Sequence, residues 1–175
     1  MARKSITLMF AMALAWLTGP LSVFAEGTLK MQGSIIETAC AIDVGSRDQT
    51  IDMGSLSISQ LLRDGQGTAR PFTIRLVNCA LEKQNDHRPD WQYFRITFDG
   101  PHERGLFNVN GQAKGVGLEI RNQDNELSVP GSAMLPQQLT PGSRDLIYRL
   151  RLVANQQPLA VGQYYSQLAF KLDYE

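Results

Sequence analysis

The sequence predicts an all-β fold, an antiparallel sandwich of short strands. Three observations point to it. Apolar and polar residues alternate with a period of two in most segments after residue 25, as in strands that bury one face. Clusters of Gly, Pro, Asn and Asp separate these segments, as turns do. No stretch shows the 3.6-residue apolar period of a long amphipathic helix.

The first 25 residues differ from the rest of the chain. Arg3 and Lys4 precede an apolar stretch over residues 6–17, and a small-residue ending at Ala25 follows. This order of charge, apolar run and small residues predicts a secretory signal peptide that is cleaved after Ala25. The apolar run is too short for a membrane-spanning helix, which needs roughly 20 residues.

Removal of this leader leaves 150 of the 175 residues, which is the size of one domain with a real core. Both charged residues of the leader are basic, so 15 of the 17 Lys and Arg remain against 17 Asp and Glu, a formal net charge of −2. No basic stripe is present, and a nucleic-acid partner is therefore not expected.

Alternation defines five strands in the remaining chain. The first is typical, because Phe72, Ile74 and Leu76 share one face. The predicted strands cover residues 70–78, 91–99, 115–121, 145–153 and 162–174. The last of them would bury Tyr164, Leu168, Phe170, Leu172 and Tyr174. Residues 55–63 fit either a short helix or an irregular loop.

The two cysteines, Cys40 and Cys79, are expected to pair, because exported proteins form and keep disulfides. A metal pair or a catalytic thiol would need further ligands or a base, which the sequence lacks. Cys79 has the opposite parity to Phe72, Ile74 and Leu76 on the same strand. Either a bulge near Val77 or a bridge at the end of the sheet would resolve this.

Residues that carry enzymatic or metal chemistry are sparse. The two histidines, His87 and His102, lie in polar or turn-like segments, and no metal-binding, phosphate-binding or nucleophile motif occurs. Paired carboxylates also fall in turn-like segments, where solvated acids are expected. We therefore predict no catalytic residues, no metal, no cofactor and no small-molecule substrate.

The N-terminal segment after the leader, residues 26–37, also alternates, and by itself it would suit an ordinary first strand. Taken together with the rest of the chain, it resembles the chaperone–usher pilins of Gram-negative fimbriae, in particular the minor subunits of type 1 and P pili. The resemblance covers the whole mature chain and is carried by residues 31–36, Cys40 seven positions after Gly33, and residues 71–79, 115–122, 162–164 and 170–175.

The resemblance implies an incomplete immunoglobulin-like antiparallel sandwich that lacks its final strand, so that a hydrophobic groove lies beside the C-terminal strand. In this family a periplasmic chaperone lends a strand to the groove. At the outer-membrane usher, the N-terminal extension of the next subunit replaces that strand, which is donor-strand exchange. Carried over by position, the inward donor-strand residues are Gly27, Leu29, Met31, Gly33 and Ile35. The groove edge is Phe170, Leu172 and Tyr174, with the carboxylate of Glu175 held by basic residues of the chaperone.

The predicted organisation is a signal peptide (1–25), a donor-strand extension (26–37) and a pilin sandwich domain (38–175). The extension before Gly33 is short, as in linker or adaptor subunits of the family. The resemblance thus implies a structural minor subunit of a surface fimbria, which supports cell adhesion and reaches the cell surface through the periplasm. Its implied partners are the chaperone, the usher and neighbouring pilins. The alternative is a secreted lectin-like adhesin, in which Trp91 and Tyr93 would form an aromatic platform for a glycan.

Overall fold

In the computed structural model, residues 29–33, 35, 37–84 and 89–175 are described. The predicted signal peptide, Gly27 and His87 lie outside these residues. The chain divides into two compact units, residues 1–35 and residues 36–175. All of the regular structure described below belongs to the second unit.

Eleven strands and two short helices make up the described part of that unit. The strands are β1 (Ala41–Ile42), β2 (Arg70–Cys79), β3 (Tyr93–Asp99), β4 (His102–Glu103), β5 (Leu106–Asn108), β6 (Asn110–Gly111), β7 (Val116–Asn122), β8 (Gln137–Gln138), β9 (Gly142–Ala154), β10 (Tyr164–Tyr165) and β11 (Ala169–Tyr174). The helices are α1 (Val44–Arg47) and α2 (Ile58–Asp64).

The strands form three sheets in which every pairing is antiparallel. The largest sheet has six strands in the order β1-β2-β9-β7-β5-β4, and a second has three in the order β11-β3-β8. A two-stranded ribbon joins β10 to β6. The predicted antiparallel all-β class is confirmed.

Alternate residues of the two larger sheets form one apolar core, as expected for two packed sheets. Phe94, Ile96 and Phe98 of β3 are buried, as are Ile74 and Leu76 of β2. The Tyr148 ring of β9 lies between two phenylalanines, with centroids 5.6 Å from Phe72 and 5.0 Å from Phe98. Burial raises the pKa of the Tyr148 phenol well above its ordinary value.

The structure contains the predicted disulfide between Cys40 and Cys79. The parity of Cys79 is explained by a bulge. The β2–β9 register shifts between Leu76 and Cys79, and Asn78 adopts a left-handed backbone with φ 53°. The extra residue reverses the alternation, so that Leu76 and Cys79 are both buried.

The ambiguous segment at 55–63 forms the helix α2, and its ends show why. The side chain of Ser57 caps the first turn by accepting a hydrogen bond from Gln60 N at 3.2 Å. Gly65 ends the helix in the left-handed conformation, and its N–H donates to Leu61 O at 2.9 Å. Leu61 is the buried residue of the helix.

The predicted last strand, residues 162–174, is two strands. Residues Tyr164 and Tyr165 pair with β6, whereas residues 169–174 pair with β3. Between them, the Ser166 hydroxyl donates to Asn108 O at 2.7 Å. Because β10 and β11 belong to different sheets, the chain crosses from one sheet to another within a continuous alternating pattern.

Candidate functional site

Among the edge strands in the described part of the chain, β11 is the longest. This strand of six residues pairs with β3 on one side and with no strand on the other. Glu175 N donates to Tyr93 O at 2.8 Å, and Tyr93 N donates to Glu175 O at 3.1 Å. Bonded pairs alternate in an antiparallel ladder. The N–H and C=O groups of Phe170, Leu172 and Tyr174 therefore point to the open side.

The side chains of these same three residues face the core. Phe170, Leu172 and Tyr174 are half-buried and pack against it, whereas Ala169, Lys171 and Asp173 are exposed. Phe170 lies 6.2 Å from Phe98 between ring centroids. Each of the three thus offers an incompletely covered apolar side chain together with unpaired backbone groups, which is the chemistry of an unfilled strand position.

Residues 40–56 approach β11 and the preceding strand, β10. The Tyr174 hydroxyl of β11 donates to Cys40 O at 3.4 Å. Met53 and Leu56 line one small depression together with Tyr164 of β10. Further half-buried apolar residues of the same region pack against the core; they are Ile42, Ile51 and Leu168. We call the apolar strip between residues 40–56 and β11 the open groove.

Two tyrosines, Tyr174 of β11 and Tyr164 of β10, have raised pKa values. For Tyr174 burial raises the pKa, and the hydrogen bond to Cys40 opposes this. For Tyr164 burial is the main cause of the raised pKa; the negative charge of Asp52 adds to it and Arg70 opposes it. Both phenols are therefore neutral hydrogen-bonding groups at neutral pH.

The described donor-strand residues have side chains that are free of packing. Leu29, Met31 and Ile35 are exposed, and a Cβ added at Gly33 would meet no atom within 4 Å. Residues 29–33 and 35 are in no strand.

Glu175 is held by contacts that the sequence did not predict. Its side chain pairs with Arg95 of β3, with Oε1 2.6 Å from Nε. Its main-chain oxygen accepts hydrogen bonds from Gln92 N at 2.7 Å and Tyr93 N at 3.1 Å. Alternation marks Arg95 only as an outward residue of β3, and no signal in the sequence gives the register that brings it to Glu175.

Trp91 and Tyr93 do not form a shared aromatic platform. Trp91 is half-buried against the core, its ring lies edge-on to Tyr174 at 6.0 Å, and Lys83 Nζ lies 3.8 Å from its centroid. Tyr93 is 43% exposed on the outward side of β3. The two rings thus have separate environments, and Trp91 closes one end of the open groove.

Two acidic residues of the turn-like segments, Asp43 and Glu126, have structural partners. Asp43 caps α1 by accepting from Gly45 N at 3.0 Å, and Glu126 accepts from Asn122 Nδ2 and Leu135 N, each at 2.8 Å. Within residues 29–33, 35, 37–84 and 89–175, no group of three His, Cys, Asp or Glu could hold a metal. Across the same residues, no helix has the length and apolar character to span a membrane.

Comparison with known proteins agrees with this architecture. The family described as "Fimbrial protein" matches residues 29–175. The PRS and PAP fimbrial minor pilin proteins of Escherichia coli are each 33% identical over 155 residues, covering 87% of this chain and 80% of the relative. The crystal structure of the P pilus rod subunit PapA superposes with a TM-score of 0.69 at 24% identity, covering 79% of this chain and 100% of PapA.

Proteins of this family are structural subunits of surface fibres and not enzymes. The chain belongs to the fimbrial protein family. Its fold is the immunoglobulin-like sandwich of pilins, and its place is in a cell-surface fimbrium beside neighbouring pilin subunits.

Proposed function

We propose that this chain is a minor, adaptor-type subunit that is joined to its neighbours by donor-strand exchange and thereby supports cell adhesion. The observation that carries the proposal is the outer edge of β11, where Phe170, Leu172 and Tyr174 combine half-buried side chains with unpaired backbone groups. The likeness to minor pilins of the PAP and PRS fimbriae supports the minor position.

Two kinds of contact would stabilise a strand that is added to this edge. Its backbone would pair with the N–H and C=O groups of alternate β11 residues, which gives affinity without regard to sequence. Its inward side chains would complete the burial of Phe170, Leu172 and Tyr174. Full burial of one such side chain stabilises by about 1.5–3 kcal/mol relative to full exposure, so completing three half-buried ones contributes part of that amount at each.

The N-terminal extension of the chain has the matching pattern for the groove of a neighbour. The inward set would be Gly27, Leu29, Met31, Gly33 and Ile35, spaced by two residues, as are Phe170, Leu172 and Tyr174 in the acceptor. The side chains of Leu29, Met31 and Ile35 are exposed and so available for another chain. Gly33 has no side chain, which permits close approach of two backbones.

Export and assembly would follow from the same exposed edge. An apolar edge strand pairs with any other strand until it is covered, so a periplasmic chaperone would protect it and the outer-membrane usher would exchange the chaperone for the next subunit. The signal peptide at 1–25, the extension at 26–37 and the sandwich at 38–175 are the parts of this route. Basic residues of the chaperone would hold the Glu175 carboxylate.

Deletion of residues 26–33 tests the donor role. The shortened subunit is expected to bind its chaperone but to be absent from purified fibres, because its own groove is intact while its donor strand is gone. A finer pair of variants is Met31→Asp, which charges the inward face, and Lys30→Asp, which charges the alternate face. Only Met31→Asp should block incorporation; normal incorporation of the deletion variant would refute the proposal.

The acceptor role is tested by extending the chain after Glu175 with a short flexible linker and a copy of residues 26–37. If the open groove lacks a strand, this extended chain should be monomeric and more stable to urea than the unextended protein. The control copy carries Asp at the positions of Leu29 and Met31, and it should give no gain. Equal stability of all three proteins would mean that the sandwich is complete.

A further inference from the structure

The strand that borders the open groove is an edge strand. β11 has one hydrogen-bonded neighbour, β3, within the described part of the chain, whereas β2 and β9 each lie between two strands. Edge strands open locally more readily than central ones, because fewer bonds must break. The packing of Phe170, Leu172 and Tyr174 against the core favours one register, and a contact on the outward face would add to it.

A line of charges crosses that outward face. Arg95 of β3 lies directly opposite Asp173 of β11 in the ladder. Its Nε is 2.6 Å from Glu175 Oε1 and its NH2 group is 3.5 Å from Glu175 Oε2. On β11 itself, Lys171 Nζ is 3.1 Å from Asp173 Oδ2. Two cations, Lys171 and Arg95, and two anions, Asp173 and Glu175, thus share the outward face beside the open groove.

The geometry points to Arg95 as a positioning residue for the groove: its pairing with Glu175, opposite Asp173, fixes the register of β11 on β3. The inference rests on the proposed strand exchange, because the register of β11 matters for function only if a donor strand pairs with it. A slip of one residue would turn Lys171 and Asp173 into the groove and Leu172 out of it. In that slipped register Arg95 would lie opposite Leu172 or Tyr174, which offer it no carboxylate.

The pair suits positioning better than bulk stabilisation. The side chains of Arg95 and Glu175 are 40% and 49% exposed, and exposed ion pairs contribute little to the free energy of unfolding. The Nε atom of Arg95 is screened from solvent but makes no hydrogen bond among the described residues; the guanidinium bonds to Glu175 through its NH2 group, which donates to Oε2 at 3.5 Å. The main-chain bonds from Glu175 O to Gln92 N and Tyr93 N continue the ladder beyond Tyr174 and hold the carboxylate within reach.

Arg75 supplies a matched control on the other sheet. It also lies opposite an acidic residue, Asp145, with Nε 3.9 Å from Oδ1 and both side chains exposed. Its strand, β2, has a neighbour on each side. Loss of that pair should leave β11 unchanged.

The test is amide hydrogen exchange, followed by mass spectrometry, on the chain that begins at Glu26. Arg95→Met should speed exchange in peptides that cover residues 169–175 by about fivefold, the local effect of an ion pair near the upper end of its range. Arg75→Met should leave those peptides unchanged, and Arg95→Lys should give partial protection. The exchanged pair, Arg95→Glu with Glu175→Arg, should restore protection.

Unchanged exchange in Arg95→Met, equal acceleration in Arg75→Met, or failure of the exchanged pair to restore protection would each overturn the role of Arg95. The outcome is separable from that of the proposed function. If the extended chain is stabilised while Arg95→Met leaves β11 protected, strand exchange stands and the positioning role falls. If Arg95→Met speeds exchange in β11 but the extended chain gains no stability, the positioning role of Arg95 stands and the proposed strand exchange falls.

Discussion

The two edges of the three-stranded sheet are treated in opposite ways. Beside β3 on one side, the chain itself covers the edge: Gly131 N donates to Phe98 O and Met134 N donates to Ile96 O, each at 2.9 Å. On the other side β11 presents an edge of six residues that pairs with no strand among the residues described. Segments of the same chain thus cover the sheet beside β3, whereas the outer edge of β11 is open to a strand from another chain.

Burial follows the same division. Met134 and Leu139, which flank the short strand β8, are each 3% exposed, whereas the apolar residues of β11 are half-buried. The difference indicates that incomplete burial at β11 is a property of that edge and not of the sheet. A subunit that must join others needs one edge of each kind, because two open edges would permit uncontrolled pairing.

Among these changes, removal of the disulfide is expected to have the largest effect on stability. It also bears on the open edge, since Cys40 belongs to the segment opposite β11. The paired change Cys40→Ser with Cys79→Ser should lower the free energy of unfolding by about 4 kcal/mol, by the chain-entropy model for a loop of this length. Urea unfolding of the oxidised protein and the variant measures it. The reduced wild-type protein is the control, and it should resemble the variant. Equal stability of the oxidised protein and the variant would contradict the expectation.

Leu139→Ala and Leu172→Ala compare the two edges directly. Leu139→Ala should cost about 3 kcal/mol, the middle of the range for buried leucines, in both the unextended and the extended chain. Leu172→Ala should cost less in the unextended chain, because Leu172 is only half-buried, and more in the extended chain, where the donor copy completes its burial. Equal costs of Leu172→Ala in the two chains would show that nothing covers this edge.

A proline at position 172 isolates the backbone contribution of the edge. The N–H of Leu172 points away from β3, so Leu172→Pro spares the ladder and removes one donor from the open side. Compared with Leu172→Ala, it should reduce the stability gained by the extended chain by about 1–3 kcal/mol, the cost of leaving a buried carbonyl of the donor copy unsatisfied. Urea titration of both variants, each with and without the extension, gives the difference.

Asp173→Pro is the matched variant for this comparison. The N–H of Asp173 belongs to the pairs that bond to β3, and its loss should therefore destabilise even the unextended chain. If Leu172→Pro were as damaging as Asp173→Pro in the unextended protein, the assignment of open and bonded sides would be reversed.

The smallest expected effect is on pH dependence. The raised pKa of Tyr174 means that the folded protein holds the phenol proton more tightly than the unfolded chain does. Its contribution is therefore fully present below the ordinary value of 10.0 and is lost as the pH rises above it. Tyr174→Phe should make the loss of stability above about pH 10 shallower. An unchanged slope in denaturant titrations would contradict this, and Tyr164→Phe, in β10, serves as the comparison.

Much of the fold follows from local pattern. Alternation predicted β2, β3, β7 and β9 to within a few residues, since one buried face imposes a period of two whatever the partner strand. The parity of Cys79 allowed either a bulge or a bridge at the end of the sheet, and the register shift with the left-handed Asn78 shows that it is a bulge. Local pattern also placed Phe170, Leu172 and Tyr174 on one face.

The features that the sequence did not predict depend on contacts between residues distant in sequence. The crossing between β10 and β11 interrupts no alternation, because Tyr164 and Phe170 keep the same parity while their partners change from Gly111 to Phe98. The Arg95–Glu175 pair likewise joins residues that are 80 positions apart. Periodicity gives the facing of a residue but not its partner across a sheet.

The Trp91–Tyr174 contact has a practical consequence. The chain has two tryptophans, and the other, Trp16, belongs to the predicted leader; cleavage after Ala25 would leave Trp91 as the single indole. Its emission would then depend on the neighbouring phenol ring and on the ammonium group of Lys83 above it. A strand that binds beside Tyr174 should shift that emission. Trp91 fluorescence would therefore report binding of a strand to the open groove, and the rate of assembly could be measured without a label.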